Sequence, residues 1–562
     1  MDNISKQVLV KLIEKHQKGK HEEAYLGYQE LLLEHPNSHE IHHILGIYHA
    51  QSAQHDQAYH HLTTAHLLNP TDPRIEEALA TLEKQAGNLK QSLKRLQRIT
   101  RSHPQQITAH INLAAGFIKN QEHDKANKIL DNLINQDLKI ANIYYHKALI
   151  DLHNNNSNDA LIWLEKTLSL EPNHLPAIKQ MAKTLHHLKK HALAKTHYQN
   201  ALDLNPTDAE FKHFAAVNLL ALEEQESALI LLLEAYALDP SMQDINHNLA
   251  SIYLTQGEFK NAVHHWLREH EIAPTTDTLY NIGVSYQYLN RLDDARSYLQ
   301  EALKQDPRHL GALINLGANA LQCFDHPLAI GYYQRAIALS PSDQSILHVL
   351  NALQGKQQDK TPTDYTQGLF DQYANHYDDH LMKVLNYQVP NLMLRMINEY
   401  TQRQKLNILD AGCGTGLMGE VLKPLSAHLT GVDLSARMIA KAQEKGIYDC
   451  LIQGNITDVN DGPYDAIILA DVMPYIGNPT DLFEWAFHQL KDNGLLCFSF
   501  ELSEEPKWHL QKTARFSHNS DFMVNTLILK QFQIQELLPC KLRKQLGESL
   551  SGMMIAATKL SC

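Results

Sequence analysis

The sequence predicts an all-helical repeat solenoid followed by an α/β domain built on a doubly wound, mostly parallel sheet. Three observations carry this. Proline recurs every 34 residues through most of the first 341. After residue 368 the apolar pattern changes to short runs alternating with helical stretches. The first of those runs ends in Asp410-Ala-Gly412-Cys-Gly414-Thr-Gly416, a glycine-rich strand-to-helix turn. A length of 562 residues exceeds one hydrophobic core. With 43% apolar and 20% charged residues the chain has the composition of a folded protein. The net charge of −13 divides into 41 acidic against 33 basic residues before position 365, and 22 against 17 after it. Neither part therefore carries the footprint of a general nucleic-acid binder. No run approaches 18 uncharged apolar residues, and the start MDNISKQVLVKLIEKHQKGK lacks a cationic segment leading into an apolar one. Neither a membrane span nor secretion is expected. The six cysteines form neither a disulfide framework nor a metal-ligand spacing, which fits a cytoplasmic setting and no metal site.

The first element is the repeat. Pro36, Pro70 and Pro104 are 34 apart, and Pro172, Pro206, Pro240 and Pro274 keep the count, with Leu138 on the missing beat. One residue is then lost before Pro307 and Pro341. Twelve residues before each beat stands a small side chain, from Ala24 and Ala58 to Ala295 and Ala329. Twenty-four before it, in nine of ten units, stands another, such as Gly46, Ala80, Gly283 or Gly317. Eight before it stands a large apolar one, such as Tyr28, Leu62, Trp266 or Tyr333. Two helices per unit must cross closely, so their contact points are small, a large neighbour fills the gap, and proline ends the second helix. A fixed period of this length signals a stacked solenoid. The pattern resembles the tetratricopeptide repeat, with ten units over residues 5–341 and Ser342–Leu353 as a capping helix, so that the solenoid occupies residues 1–354.

The resemblance implies a concave face that binds a peptide or protein. Asn112, Asn248, Asn281 and Asn315 lie twenty-six residues before the beat, the last three in consecutive units. A column of amides can pair with an extended peptide backbone; the same residues could instead be solvated or bond within their own repeats. Of 35 histidines, 29 fall before residue 365. Their adjacent pairs do not share a helix face, so solvated faces are expected rather than metal ligation.

Residues 355–368 are polar, aperiodic and read as a linker. From 369 to 562 follow NILDAG, HLTGVDLS, LIQGNI, YDAIILADV and LLCFSF as strands, and FQIQELLPC with SGMMIAATK as a hairpin. Glycines at the first strand-to-helix turn let a ligand press against bare main chain at the switch point of the sheet. Asp433, at the end of the second strand, could accept both hydroxyls of an adenosine ribose.

Asp410, the spacing of Gly412, Gly414 and Gly416, and Asp433 together resemble the class I methyltransferase nucleotide loop rather than the dinucleotide GxGxxG. The resemblance implies S-adenosyl-L-methionine as cofactor and a seven-stranded Rossmann-like domain with a reversed final strand. It also implies an adenine-reading residue after the third strand, where this sequence has Asn455 in place of the usual acid. A closer resemblance, to predicted methyltransferases fused to tetratricopeptide repeats, rests on Phe370-Asp371-Gln-Tyr373-Ala-Asn-His376-Tyr377-Asp-Asp-His380-Leu381, on DVMPYIG and on Arg515-Phe-Ser-His518. It implies lid helices before the sheet. Tyr373 and Tyr377, four apart, would share a helix face and touch the cofactor carboxylate or line the substrate mouth, or else simply pack the lid. Asp471 at the carboxyl end of the fourth strand, His376, Tyr377 and His518 are the candidates on the substrate side, with His518 a candidate general base. Displacement at a sulfonium methyl needs mainly placement and exclusion of water, so no catalytic triad is expected. Two alternatives stand beside an active methyltransferase. One is a repeat scaffold whose second domain binds cofactor without turnover; the other, disfavoured by the glycine spacing, is an NAD-dependent oxidoreductase.

Overall fold

The computed structural model describes residues 3–561 apart from 376, 380, 383, 384, 386, 402–404, 546 and 547. The chain divides into two compact units, Met1–Met242 and Gln243–Cys562. Among the described residues no helix is long and apolar enough to cross a membrane.

The first unit is seven helix pairs, from Asn3–Gln17 with His21–Glu34 to Ala209–Leu220 with Gln225–Leu238. The small positions lie where helices cross: Ala24, Ala58, Ala126 and Ala160 are fully buried. A Cβ added at Gly46 would lie 2.5 Å from Leu62, so the beat's small and large residues interlock within one unit. The histidines correct the expectation of solvated faces. His42, His49 and His213 are buried. His42 Nδ1 lies 2.9 Å from His61 Nδ1, and the rings of His123 and His153 stack at 3.9 Å. A neutral imidazole packs as a flat, half-apolar disc and can exchange a hydrogen bond with another, so it serves between helices. Asn112 donates to Glu77 at 2.6 Å rather than facing outward unpaired.

The second unit starts with three further helix pairs, Ile245–Thr255 with Phe259–Ile272 through Leu310–Gln322 with His326–Leu339, and a cap helix, Gln344–Leu353. The packing rule persists: a Cβ at Gly317 would lie 2.8 Å from the Tyr333 ring. In the amide column, Asn315 Nδ2 donates to Tyr280 OH at 3.2 Å and to Gly311 O at 3.0 Å. That amide is engaged inside the array, so the expected column of peptide-facing amides is incomplete at this position.

A seven-stranded sheet follows in the order β3-β2-β1-β4-β5-β9-β8. Its strands are β1 (Leu406–Ala411), β2 (Ser426–Asp433), β3 (Cys450–Gln453), β4 (Tyr464–Leu469), β5 (Leu490–Glu501), β8 (Phe532–Gln545) and β9 (Glu548–Lys559). The first five are parallel neighbours and β9 runs antiparallel to β5. This is the seven-stranded arrangement with a reversed last strand that the resemblance implied. Ile408, Ile467, Ile468, Leu496 and Phe498 are fully buried, as expected of strands covered on both faces. A small hairpin, β6 (Trp508–Leu510) and β7 (Phe516–His518), stands apart from the sheet.

The stretch 355–368 is not a free tether. A helix, Thr363–Tyr373, begins inside it. Lys360 bridges antiparallel to Ile476, and Asn478 N donates to Asp359 O at 2.7 Å. Its polar composition hid this because main-chain pairing needs no apolar period. The cap helix is covered in turn: Leu510, Ala514 and Phe516 share one core with Ile346, Val349, Leu350 and Leu353.

Candidate active site

The carboxyl ends of β1, β2 and β4 open onto a cavity of about 300 Å³. This is where a doubly wound sheet places its ligands, because the chain diverges at the switch between β1 and β4. Gly412, Gly414, Asp433, Asn455, Asp471 and Tyr377 line it, so six of the residues singled out in the sequence meet at one place.

The loop after β1 is held by the sheet itself. Gly412 N and Cys413 N both donate to Val432 O, at 2.8 and 2.9 Å. Gly412 has φ +82, and a Cβ there would lie 2.5 Å from Val472, so glycine is required for both backbone and space. Gly414 N donates to Asp433 Oδ2 and Ser435 N to Asp433 Oδ1, each at 2.9 Å. Burial pushes the Asp433 carboxyl up, and these two N–H groups pull the other way. The carboxylate is thereby fixed at the cavity wall.

Three expected cofactor contacts stand elsewhere. Asp410 is fully buried beneath the loop and does not line the cavity. Tyr448 OH donates to its Oδ2 at 2.6 Å, and burial raises its pKa to about 7. Gly416 is also outside the lining: at φ +92 it leaves room for the Tyr448 ring, 3.1 Å from where a Cβ would stand. These residues brace the loop from behind the lining, through Tyr448. Tyr373 does not line the cavity either; its ring meets Tyr377 edge-on at 5.3 Å. The two tyrosines do not share one helix, because the helix ends at Tyr373 and Tyr377 opens a separate turn, Tyr377–Asp379. Asn455 does face the cavity, but its Oδ1 accepts from Thr457 N and Oγ1, each at 3.3 Å. His376 lies outside the described residues.

His518 is corrected more sharply. It is fully buried on β7, with Nε2 2.8 Å from Ile476 O and 3.0 Å from Gly477 O. Burial lowers its pKa to about 4. It is absent from the lining and ties the hairpin to the segment after β4. Its i,i+3 spacing to Arg515 had no helical meaning, since β7 is extended.

Asp471 holds its expected place, with a left-handed backbone at φ +57, but not as a lone acid. Arg543 Nη1 donates to its Oδ1 at 2.8 Å and Oδ2 at 3.0 Å. Arg515 Nη2 adds a contact at 3.4 Å. Both guanidiniums also reach Glu501 Oε1, at 2.7 Å from Arg543 and 3.0 Å from Arg515. Arg515 Nη1 lies 3.3 Å from Tyr475 OH, and its guanidinium sits over that ring at 5.3 Å. Tyr475 lines the cavity. Burial pushes the hydroxyls of Tyr377 and Tyr475 up, so both are neutral O–H groups at pH 7. This paired cluster, together with Lys360, Thr361, Thr363 and Thr366 of the connecting stretch and Asp481 beyond β4, was not found from the sequence. The one signal for it was Arg515 in the fragment Arg515-Phe-Ser-His518.

Residues 385–536 match the family model for a methyltransferase domain. Residues 280–344 and 180–208 match models for the tetratricopeptide repeat. A ubiquinone biosynthesis O-methyltransferase of Xylella fastidiosa (strain M23) is 26% identical over 152 residues, covering 25% of this chain and 62% of that protein. The chain therefore spans less than two thirds of that relative. BBSome complex member BBS4 of Bos taurus is 27% identical over 192 residues, covering 34% of this chain and 37% of that protein. Magnesium protoporphyrin IX methyltransferase from Synechocystis PCC 6803, solved with bound SAH, is 16% identical with a TM-score of 0.26, covering 30% of this chain and 81% of that one.

Proposed function

We propose, from the premise of a chain that joins tetratricopeptide repeats to a methyltransferase domain, that it moves the methyl group of S-adenosyl-L-methionine to an acceptor, with the repeats recruiting the protein that is, or presents, that acceptor. The observation that carries the cofactor assignment is the charge of the cavity. Its described lining holds one cation, Lys360, against Asp433 and Asp481, while the third acid, Asp471, is already paired with Arg543 and Arg515. Such a wall suits a sulfonium and opposes the paired phosphates of a dinucleotide. The residues fit the group in a second respect: a fixed carboxylate, Asp433, stands beside bare main chain at Gly412 and Gly414, as a ribose and its flanking chain require.

When bound, the cofactor supplies a methyl group on a positively charged sulfur, so the leaving group is already activated. The protein's part is placement. Asp433 would accept from the ribose hydroxyls, and Asn455 would offer its amide to the adenine. Tyr377 and Tyr475, both protonated, would donate O–H to the acceptor and keep it in line. Phe370, Ile476 and Leu482 line the same cavity and exclude water from it. Asp471, bound by two guanidiniums, would fix the wall rather than remove a proton.

The test is transfer itself. Full-length protein incubated with tritiated S-adenosyl-L-methionine and cell extract is expected to label extract components, with labelled polypeptide bands if the repeats deliver a protein. Label confined to small molecules would remove the protein-acceptor reading, and no transfer would remove the enzyme.

A further inference from the structure

The end of the repeat array packs against segments that line or back the cavity. His348, fully buried on the cap helix Gln344–Leu353, engages both ring nitrogens with segments C-terminal to the array. Nε2 lies 3.1 Å from Ala514 O, at the turn between β6 and β7. Nδ1 lies 2.5 Å from the Gln358 side-chain amide, in the connecting stretch. The ring also meets Tyr365 of the lid helix, Thr363–Tyr373, at 5.0 Å and Phe516 of β7 at 6.2 Å. Two of these segments line the cavity, and the third, the hairpin, backs it through Arg515. The connector supplies Lys360 and Thr361 to the lining, the lid helix supplies Thr366 and Phe370, and the hairpin carries Arg515. Trp508 Nε1 fastens hairpin to connector, donating to Gln358 O at 2.8 Å.

The turn beside His348 is strained. Ala514 has φ +60, a left-handed conformation that costs a residue with a Cβ about 1 kcal/mol. It is kept within a tight loop, with Ala514 N donating to Gln511 O and Gln511 N to Arg515 O, each at 2.9 Å. The next residue, Arg515, is the one that reaches Asp471 at 3.4 Å and Tyr475 at 3.3 Å. A strained conformation persists where its surroundings over-determine it; here two hydrogen bonds within the loop are joined, from the repeat array, by one imidazole.

We propose that His348 is a positioning residue for methyl transfer: from the last helix of the array it sets the Ala514 turn, and through that turn the guanidinium of Arg515 against Asp471 and Tyr475. The inference rests on the methyltransferase reading for its kinetic test and makes the array's end a working part of the cavity. With full-length protein, His348→Leu is expected to lower tritium transfer from saturating S-adenosyl-L-methionine into cell extract by about tenfold or more, while its dissociation constant, read by calorimetry, moves by less than about threefold. His348→Gln, which keeps a donor for Ala514 O, recovers most of the rate. His348→Leu combined with Arg515→Lys is no slower than Arg515→Lys alone to within about twofold, because both act through one guanidinium. Wild-type transfer by His348→Leu, or losses that multiply in the double variant, would overturn the proposal. Hydrogen exchange separates positioning from misfolding. Faster exchange in His348→Leu confined to Gln511–His518 supports it, whereas faster exchange throughout β1–β5 overturns it. If the wild type transfers no label, the enzymatic reading fails on its own account, and unchanged hairpin exchange in His348→Leu would still overturn the positioning role.

Discussion

The two walls of the cavity are made by different means. One is main chain: Gly412 to Gly414, threaded under Val432 O and closed by a carboxylate whose oxygens take two backbone N–H groups. The other is side chain: Asp471, Glu501, Arg515 and Arg543 locked into one paired cluster, with Tyr475 leaning on it. The first wall needs only residues within about twenty positions, such as Gly414 and Asp433, 19 apart, and one strand pairing. The second joins residues as far apart as 72 positions and exists only after β8 has found its place. A main-chain wall is robust to side-chain change but intolerant of a Cβ. A side-chain wall of buried charges is intolerant of losing any one partner.

The largest expected effect tests that last statement. Arg543→Met leaves the carboxylates of Asp471 and Glu501 short of a cation in a buried setting, and should cost about 3–5 kcal/mol of the sheet's stability, read by hydrogen exchange of β4 and β5 amides. A loss below about 1 kcal/mol would mean that the cluster is solvated like a surface pair.

Acid should act on the same side of the molecule. The folded His518 pKa is about 4, against an ordinary value of 6.5. The unfolded chain therefore takes up the proton first as pH falls. The stabilising share of the neutral ring is fully present above pH 6.5 and is lost towards pH 4, amounting to about 2.5 kcal/mol by pH 4.5. His518→Gln should flatten that part of the profile. Equal acid sensitivity in variant and wild type would show that the ring does not titrate with unfolding.

On the main-chain wall, Asp433→Ala removes the proposed acceptor for ribose hydroxyls together with the partner of Gly414 N. Calorimetry should show S-adenosyl-L-methionine affinity falling by about 2–3 kcal/mol, or roughly 30- to 150-fold. An unchanged affinity would place the cofactor elsewhere.

The smallest effect lies in the repeats. Asn315→Ala should cost about 1 kcal/mol, because its amide donates to Tyr280 OH and Gly311 O. An Asn281→Ala cost as large, read in the same denaturation experiment, would show that both amides are structural rather than left for a peptide.

The contrast between walls also explains what was legible in the sequence. The repeats could be read because each unit repeats the same small-against-large contact, as between Gly46 and Leu62 or Gly317 and Tyr333. The glycine loop and Asp433 could be read because strand-end geometry fixes them within one βαβ step. Asp410 and Gly416 were assigned to the ligand because a motif gives proximity but not direction. The partner that turns both toward the interior is Tyr448, whose ring fills the hollow beside Gly416 and whose hydroxyl takes Asp410. His518 was assigned as a base because a polar residue in an aperiodic stretch reads as exposed. Its burial comes from the hairpin packing on the segment after β4, a contact that no local pattern encodes. The connector was read as loose because main-chain bridging to Ile476 leaves no signature in side-chain periodicity.

The central claim is that Asp433 and the bare main chain beside it form a berth for a sulfonium nucleoside rather than a dinucleotide. Calorimetric titration of the full-length protein with S-adenosyl-L-methionine and, separately, with NADH tests it most directly. The account predicts saturable binding of the first and none of the second; binding of NADH alone, or of neither, would contradict it.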